Sequence, residues 1–150
     1  MTSITGKLDV TGAHQLTVMA DQLFEEVDYS GIYMIVLPGG MPGSSNLNAH
    51  QGLAGQILKF NNEKRPLAAI CAAPLVYGNL GILNGKQAAC YPGFEKYLNG
   101  ADVVYQPVVE SGNVITGRGP GVAIQFALKL VEKTVSAEKA ALLASQMLVP

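Results

Sequence analysis

Short apolar runs that each end at a turn dominate the pattern of the chain. Residues 32–37 (IYMIVL) are apolar without interruption and stop at Pro38-Gly39-Gly40. Pro66 opens a second run that reaches residue 70 and is followed at once by Cys71. Continuous apolar runs of this length are typical of parallel strands that helices cover on both faces. We therefore predict two buried strands, each of which ends in a turn.

The segments around these runs alternate between strand-like and helical patterns. The further predicted elements are short strands over 2–5, 8–11 and 16–20, one helical turn within 21–28, helices over 45–61, 74–80 and from 120 onward, a strand over 86–90, a brief helix over 92–98, a hairpin of 103–109 with 114–116, and a last helix capped by Ser136. Strands that alternate with helices predict a single α/β doubly wound domain over residues 1–150.

Composition narrows the classes of function. The net charge of −1 gives no electrostatic case for binding nucleic acid or an anionic membrane surface. No apolar run reaches membrane-spanning length, and the N-terminus lacks the features of a secretory leader. The two cysteines lack CxxC spacing, and His14 and His50 lie far from them in sequence, so no metal site is predicted. We expect a soluble, cytoplasmic domain with reduced thiols.

Cys71 is the main chemical candidate, and its spacing alone supports two interpretations. A free cysteine in an apolar run is commonly a buried space-filler. However, Cys71 follows a predicted strand, precedes small residues (Ala72-Ala73) and lies just before a predicted helix. Unpaired N–H groups at a helix N-terminus stabilise a thiolate, and small neighbours permit the sharp strand–turn–helix elbow of a nucleophile.

Other candidates are weaker when they are taken singly. Gly39-Gly40 is either an ordinary turn or a bare loop whose N–H groups face an oxyanion beside Cys71. Arg118 lies just before a helix, where it is either solvated or binds an anionic group. Cys90 is expected to be a packed thiol, with a resolving or sensing role as the alternative, and both histidines are expected to be structural.

Four motifs, taken together, resemble the ThiJ/PfpI superfamily, in its DJ-one/ThiJ/YajL branch. They are LPGGMPG (37–43), AAICAAP (68–74), CYPGFEKYL (90–98) and ITGRGPGVAIQFALKLVE (115–132). The resemblance covers essentially the whole chain. It implies a flavodoxin-like α/β/α sandwich with a mostly parallel sheet, of the class I glutamine amidotransferase-like type, and a homodimer.

The resemblance also implies roles for individual residues. Cys71 matches the reactive elbow cysteine, and Gly39, Gly40 and Ala72 match the backbone donors around it. Tyr91 stands where some members have a histidine, so a cysteine–histidine pair is not expected. With Pro92 and Arg118, Tyr91 is a candidate for lining the site. Ala72 also replaces the histidine that peptidase-like members place after the cysteine, and no downstream His-x-Glu pair supports a glutamine amidotransferase.

One departure from the family concerns the start of the chain. Members open with a central strand and a helix whose GFEE-like motif supplies a glutamate to the reactive cysteine. This sequence starts at what resembles the next strand, and its Phe24-Glu25-Glu26 stands in a different place. We therefore expect an N-terminally incomplete domain, from an internal or misassigned start or a fragment, in which the glutamate partner is absent.

The resemblance implies a cysteine-dependent enzyme that acts on reactive dicarbonyls or glycated groups, a glyoxalase or protein deglycase, through a Cys71 thiohemiacetal. Its substrate would be a small carbonyl compound or a glycated protein, with no metal or organic cofactor. The alternative is a redox-responsive chaperone or stress protein in which Cys71 is oxidised. A cysteine peptidase is the less favoured third hypothesis.

Overall fold

The computed structural model describes residues 1–149. Its strands are β1 (Thr2–Ser3), β2 (Asp9–Thr11), β3 (Thr17–Met19), β4 (Gln22–Leu23), β5 (Ile35–Leu37), β6 (Leu67–Ile70), β7 (Gln87–Ala88), β8 (Asp102–Val103), β9 (Val108–Ser111) and β10 (Val114–Gly117). Its α-helices are α1 (Gly43–Ala49), α2 (Gln51–Asn62), α3 (Pro74–Asn79), α4 (Ala123–Thr134) and α5 (Ala137–Gln146). Short 3₁₀ turns lie at Phe24–Glu26, Glu95–Tyr97 and Pro120–Val122.

The main sheet has the strand order β5-β6-β10-β9. The strands β5, β6 and β10 are parallel, and β9 joins β10 as an antiparallel hairpin. This confirms the predicted α/β fold with a mostly parallel sheet. The predicted hairpin is present as β9 and β10, but its first strand is Val108–Ser111 rather than 103–109, because Asp102–Val103 pairs with β7 instead. Because the carboxyl ends of β5, β6 and β10 share one edge of the sheet, the turns after these strands meet there.

Helices bury both faces of the central strand β6. On one face, Ile57 and Phe60 of α2 and Tyr77 of α3 are fully buried in one apolar cluster with Leu67. On the other face, Phe126 of α4 packs in a second cluster with Ala68 and Ile115. The apolar faces of α2, α3 and α4 therefore enclose the sheet in a three-layer arrangement, as the alternating pattern predicted.

The prediction that residues 32–37 are buried on both faces is wrong for one face. Only Ile35–Leu37 form a strand, and the side chain of Val36 in its middle is 45% exposed. β5 lies at the edge of the main sheet, so only one of its two sides pairs with another strand, which is β6. The apolar run therefore correctly predicted a strand, but the prediction that both faces of this strand are buried is wrong.

The predicted strand over 86–90 is shorter than expected and lies outside the main sheet. It is reduced to Gln87–Ala88, which pairs with β8 in a separate parallel ladder. A side-chain hydrogen bond nevertheless ties this segment to the sheet, because Ala89 N donates to the buried Oγ1 of Thr116 at 2.9 Å. The segment that leads to Cys90 is thus held beside β10.

The predicted helix over 45–61 is interrupted at His50. The His50 Nδ1 atom accepts a hydrogen bond from Leu53 N at 3.0 Å and so caps the start of α2. Its ring packs edge-on against Phe24, with 4.6 Å between the centroids. Side-chain capping satisfies an amide that the first turn of a helix leaves unpaired. His50 is therefore structural, as predicted, and Ser136 caps α5 in the same way through Lys139 N.

The N-terminal segment forms two small ladders of its own. β1 pairs in parallel with β4, and β2 pairs with β3 as an antiparallel hairpin. His14 lies exposed in the turn of this hairpin. The predicted helical turn is present as the 3₁₀ turn Phe24–Glu26.

The buried hydroxyl of Tyr77 provides a test of this packing. It donates to Ala68 O at 2.9 Å across the interface between α3 and β6. We expect Tyr77→Phe to lower the free energy of unfolding by about 0.5–1.5 kcal/mol, because one buried hydrogen bond is lost. Urea denaturation measures the change. Tyr91→Phe, at an exposed ring, is the matched control and should shift stability by less than about 0.5 kcal/mol.

Candidate active site

A sharp turn between β6 and α3 presents Cys71. β6 ends at Ile70, and Pro74 is the first residue of α3. Between them Cys71 has φ of 66°, in the left-handed region that side chains other than glycine rarely adopt. Such a conformation costs on the order of 1–3 kcal/mol and persists where the surroundings fix it. The strained elbow that the sequence suggested is therefore present.

Two backbone hydrogen bonds hold this strained residue. Cys71 N donates to Gly117 O at 2.9 Å, and Cys71 O accepts from Tyr91 N at 2.9 Å. The first bond joins the elbow to the end of β10, and the second joins it to the segment after Cys90. Three separate parts of the chain thus meet at Cys71, whose side chain is partly exposed.

Gly39 lies directly against the cysteine. A Cβ atom at position 39 would lie 2.5 Å from Cys71 Cβ, 2.7 Å from Ile70 O and 3.2 Å from Cys71 Sγ. Non-bonded carbon atoms do not approach so closely, so any side chain at this position would displace the elbow. The structure therefore supplies the steric reason for a glycine at the first position of the Gly39-Gly40 turn.

Gly40 and Ala72 are each next in sequence to a residue of this contact. Gly40 follows Gly39 with φ of 88°, and Ala72 directly follows Cys71. Neither amide donates a hydrogen bond to a partner among residues 1–149. An amide without an internal partner can donate to a ligand, which is what an oxyanion requires.

The remaining predicted residues lie at the rim of the elbow. Tyr91 is joined to Cys71 through its backbone, and its exposed ring packs over Gly119. Pro92 follows it and is exposed. Arg118 directly follows the Gly117 that holds Cys71, and its guanidinium carbon lies 5.4 Å from the centre of the Tyr105 ring. Arg118 is therefore stacked on an aromatic ring at the rim rather than freely solvated.

Cys90 differs sharply from Cys71 in its environment. Its side chain is only 4% exposed and packs in the main apolar cluster. Burial raises the pKa of the Cys90 thiol to about 11, and the negative charge of Glu95 contributes in the same direction. Arg118 opposes this shift, and Cys71 adds to it. Cys90 is therefore a protonated, packed thiol at neutral pH, in agreement with the sequence-based expectation.

Sequence reasoning did not single out Glu95. Its carboxylate accepts a hydrogen bond from Gly93 N at 2.7 Å, and this fixes the turn after Tyr91 and Pro92. Glu95 lay within the quoted motif CYPGFEKYL, so its position was known. Glu95 raises the pKa of the Cys90 thiol because the turn brings the two residues close together, and the sequence pattern does not reveal that contact.

Two other kinds of feature bear on the function of residues 1–149, a metal site and a membrane-spanning helix. Among residues 1–149, no group of three or more His, Cys, Asp or Glu side chains is placed to hold a metal ion. Within the same residues, no helix has both the length and the apolar character needed to cross a bilayer. The absence of a metal or cofactor remains a prediction.

Comparison with known proteins now defines the family. The model of the DJ-1/PfpI family matches residues 2–133. The chain belongs to the DJ-1/PfpI family. The oxidized DJ-1 of Toxoplasma gondii superimposes with a TM-score of 0.92 at 32% identity, over 98% of this chain and 80% of that one. The family resemblance inferred from the four motifs and the α/β fold are both confirmed.

Sequence comparison with curated relatives shows how much of each protein this chain matches. Protein DJ-1 homolog B of Arabidopsis thaliana is 38% identical over 140 residues, which are 92% of this chain but 32% of that protein. This chain thus spans about a third of its length, and the share is 36% for homolog A of the same plant. A deglycase of Pyrococcus abyssi is 34% identical over 114 residues, or 75% of this chain and 68% of the relative.

The two cysteines should differ strongly in reactivity. At pH 8 about one Cys90 side chain in a thousand would be a thiolate, given its pKa of about 11, and its side chain is buried. We therefore expect iodoacetamide to modify Cys71 first, as read by peptide mass spectrometry.

The pH dependence of the alkylation of Cys90 tests how neighbouring charges affect the pKa of its thiol. In a Cys71→Ser background, Glu95→Gln should move the alkylation midpoint of Cys90 to lower pH, because a negative charge that raises its pKa is removed. Arg118→Gln should move the midpoint in the opposite direction. Equal alkylation rates for the two cysteines would contradict the observed burial.

Proposed function

We propose that this chain is a cysteine-dependent enzyme that acts on reactive dicarbonyls or glycated groups, with Cys71 as its nucleophile. The observation that carries the proposal is the elbow itself, where a partly exposed thiol is held in a left-handed conformation by two backbone hydrogen bonds. Strained residues of this kind are concentrated at functional sites. The name of the Pyrococcus abyssi relative, a deglycase, supports the same class of substrate.

In the proposed first step the Cys71 thiolate adds to an aldehyde carbon. An S–C bond forms, and the π electrons of the carbonyl move to its oxygen, which becomes an alkoxide. Protonation of that oxygen completes the hemithioacetal. No bond other than the carbonyl π bond breaks, and the step needs no oxidant or reductant.

The amides of Gly40 and Ala72 are the proposed donors to this oxygen. Ala72 directly follows Cys71, Gly40 directly follows the Gly39 that lies against it, and both amides lack a partner among residues 1–149. Gly39 contributes by its lack of a side chain, because a Cβ atom there would fill the space beside Sγ. Fixed backbone donors are effective because they need no reorganisation when charge develops.

Proton transfer to the alkoxide oxygen requires a general acid. General acid–base catalysis typically contributes a factor of about 100 to 10,000 to a rate.

Methylglyoxal consumption tests the enzymatic proposal. We expect turnover in the parent protein, loss of at least about 99% of it in Cys71→Ser because no nucleophile remains, and retention in Cys90→Ser as the matched control. Gly39→Ala should lower turnover by about tenfold or more while the fold is retained, because the elbow must shift. Circular dichroism checks the folding of each variant.

Turnover that survives Cys71→Ser would contradict the proposal. Absence of turnover in every variant, combined with oxygen uptake at Cys71 under mild peroxide, would favour the redox-responsive role instead. That alternative has one observation in its favour, since a similar solved structure is of oxidized Toxoplasma gondii DJ-1. Intact mass spectrometry separates the two outcomes.

We further propose that the chain acts as a homodimer through the β2–β3 hairpin. The side chains of Leu16, Val18 and Met19 on this hairpin are 74%, 50% and 68% exposed. Apolar groups clustered on one exposed hairpin indicate a surface that a protein partner covers. A second copy of the chain is the partner that the family resemblance implies.

The oligomeric state tests this surface. We expect the parent protein to have the mass of a dimer in light scattering, and Val18→Asp to give a monomer, because a buried unpaired charge would oppose association. Asn46→Asp, at an exposed position of α1 outside the hairpin, is the control for added charge and should leave the mass unchanged. A monomeric parent protein would contradict the proposal.

A further inference from the structure

A small cavity lies between segments that lead away from the elbow. Its volume is about 170 Å³, and its apolar walls are formed by Met41, Leu75, Phe94 and Tyr97. Ser45, Asn48 and Asn79 complete its lining. The walls therefore come from the turn after Gly39-Gly40, from the helix after Cys71 and from the turn after Cys90.

The chain connections place this cavity next to the reactive thiol. Met41 is two residues beyond Gly39, so their Cα atoms are within about 7.6 Å, and Gly39 lies against Cys71. Leu75 is the second residue of α3, one helical turn beyond Cys71. Three segments next to the cysteine, those after Gly39-Gly40, after Cys71 and after Cys90, thus also contribute walls of the cavity, although Cys71 itself does not line it.

A close backbone contact fixes the far wall. A Cβ atom at Gly78 would collide with the carbonyl oxygen of Tyr97, so the turn Glu95–Tyr97 lies directly on α3. The rings of Phe94 and Tyr97 are 6.0 Å apart between centroids and tilted by 46°. The backbones of α3 and of this turn are therefore in direct contact, which fixes their spacing at this wall of the cavity.

The polar groups of the cavity are largely bonded to one another. Asn79 Nδ2 donates to Asn48 Oδ1 at 3.0 Å, which links α3 to α1. Asn99 Nδ2 in turn approaches Asn79 Oδ1 at 3.5 Å. This carboxamide pair forms one polar edge on a mainly apolar cavity, a composition typical of small-molecule sites.

We propose that this cavity is a substrate subsite that receives a ring-sized, mainly apolar substituent attached to the carbonyl that reacts with Cys71. Its volume matches such a group, because an apolar cavity of about 150 Å³ holds a benzene molecule. The proposal rests on the proposed function and adds a specificity for carbonyl substrates that carry an aromatic or branched apolar group.

Two alkylating reagents with the same reactive group test the subsite independently of turnover. Iodoacetamide and N-benzyl-iodoacetamide are compared by their rates at Cys71, each divided by its rate with free glutathione. We expect the corrected rate of the benzyl reagent to exceed that of iodoacetamide by about tenfold or more, because its ring leaves water for the apolar cavity. Peptide mass spectrometry confirms that Cys71, and not the buried Cys90, is modified.

Matched variants on α1 test whether the preference for the benzyl reagent depends on the cavity. Ser45→Phe fills the cavity from its exposed rim and should abolish the benzyl preference. Asn46→Phe places the same side chain on an exposed neighbouring position outside the lining and should retain it. Asn48→Phe is a second filling variant, in case Ser45→Phe does not fold.

Each outcome decides the proposal. A parent protein with no benzyl preference, or a preference that persists in the filled variants, would overturn the subsite. A preference that filling removes would support it even if methylglyoxal is not consumed, and in that case the proposed function would fail while the subsite would stand. If turnover is found, the ratio of kcat/KM for phenylglyoxal to that for methylglyoxal should fall in the same filled variants.

Discussion

The backbone hydrogen bond from Cys71 N to Gly117 O is the contact on which the site depends. It continues the parallel pairing of β6 and β10 by one residue past the end of the strand. The chain must then reverse into α3 within three residues, and the left-handed conformation of Cys71 makes this possible. Because the amide is fixed by the sheet and the carbonyl by Tyr91 N, the strain stays at one residue. A rigid sheet edge is what allows a cysteine to occupy a backbone region that favours glycine.

The same sheet edge explains why distant motifs combine. Gly39 follows β5, Cys71 follows β6 and Arg118 follows β10, and these strands are parallel neighbours. Their carboxyl ends therefore lie side by side, as is general for ligand sites in open α/β sheets. The segment around Cys90 joins them through two hydrogen bonds, from Ala89 N to Thr116 Oγ1 and from Tyr91 N to Cys71 O, rather than as a strand of the main sheet. The site is thus assembled mostly by backbone, with Cys71 as its principal reactive side chain.

Sequence reasoning reached the elements with strong local signals. The apolar runs identified β5 and β6, the paired runs 103–109 and 114–116 indicated the β9–β10 hairpin, and Ser136 marked the start of α5. It was wrong at three features that depend on tertiary contacts. His50 caps α2 and separates it from α1, Val36 is exposed, and the strand within residues 86–90 lies outside the main sheet. For the site, spacing left Cys71 undecided, and the steric role of Gly39 and the influence of Glu95 on Cys90 required three-dimensional packing.

The exposed middle of β5 has a consequence for the behaviour of the chain in solution. The outer edge of β5 pairs with no other strand among residues 1–149, and residues 32–37 around it are apolar without interruption. Open edges of apolar strands act as templates on which other chains add by hydrogen bonding. With a net charge of only −1, long-range repulsion between molecules is weak. Self-association through this edge would therefore compete with folding at high concentration, and it would be slowed by dilution rather than by low salt.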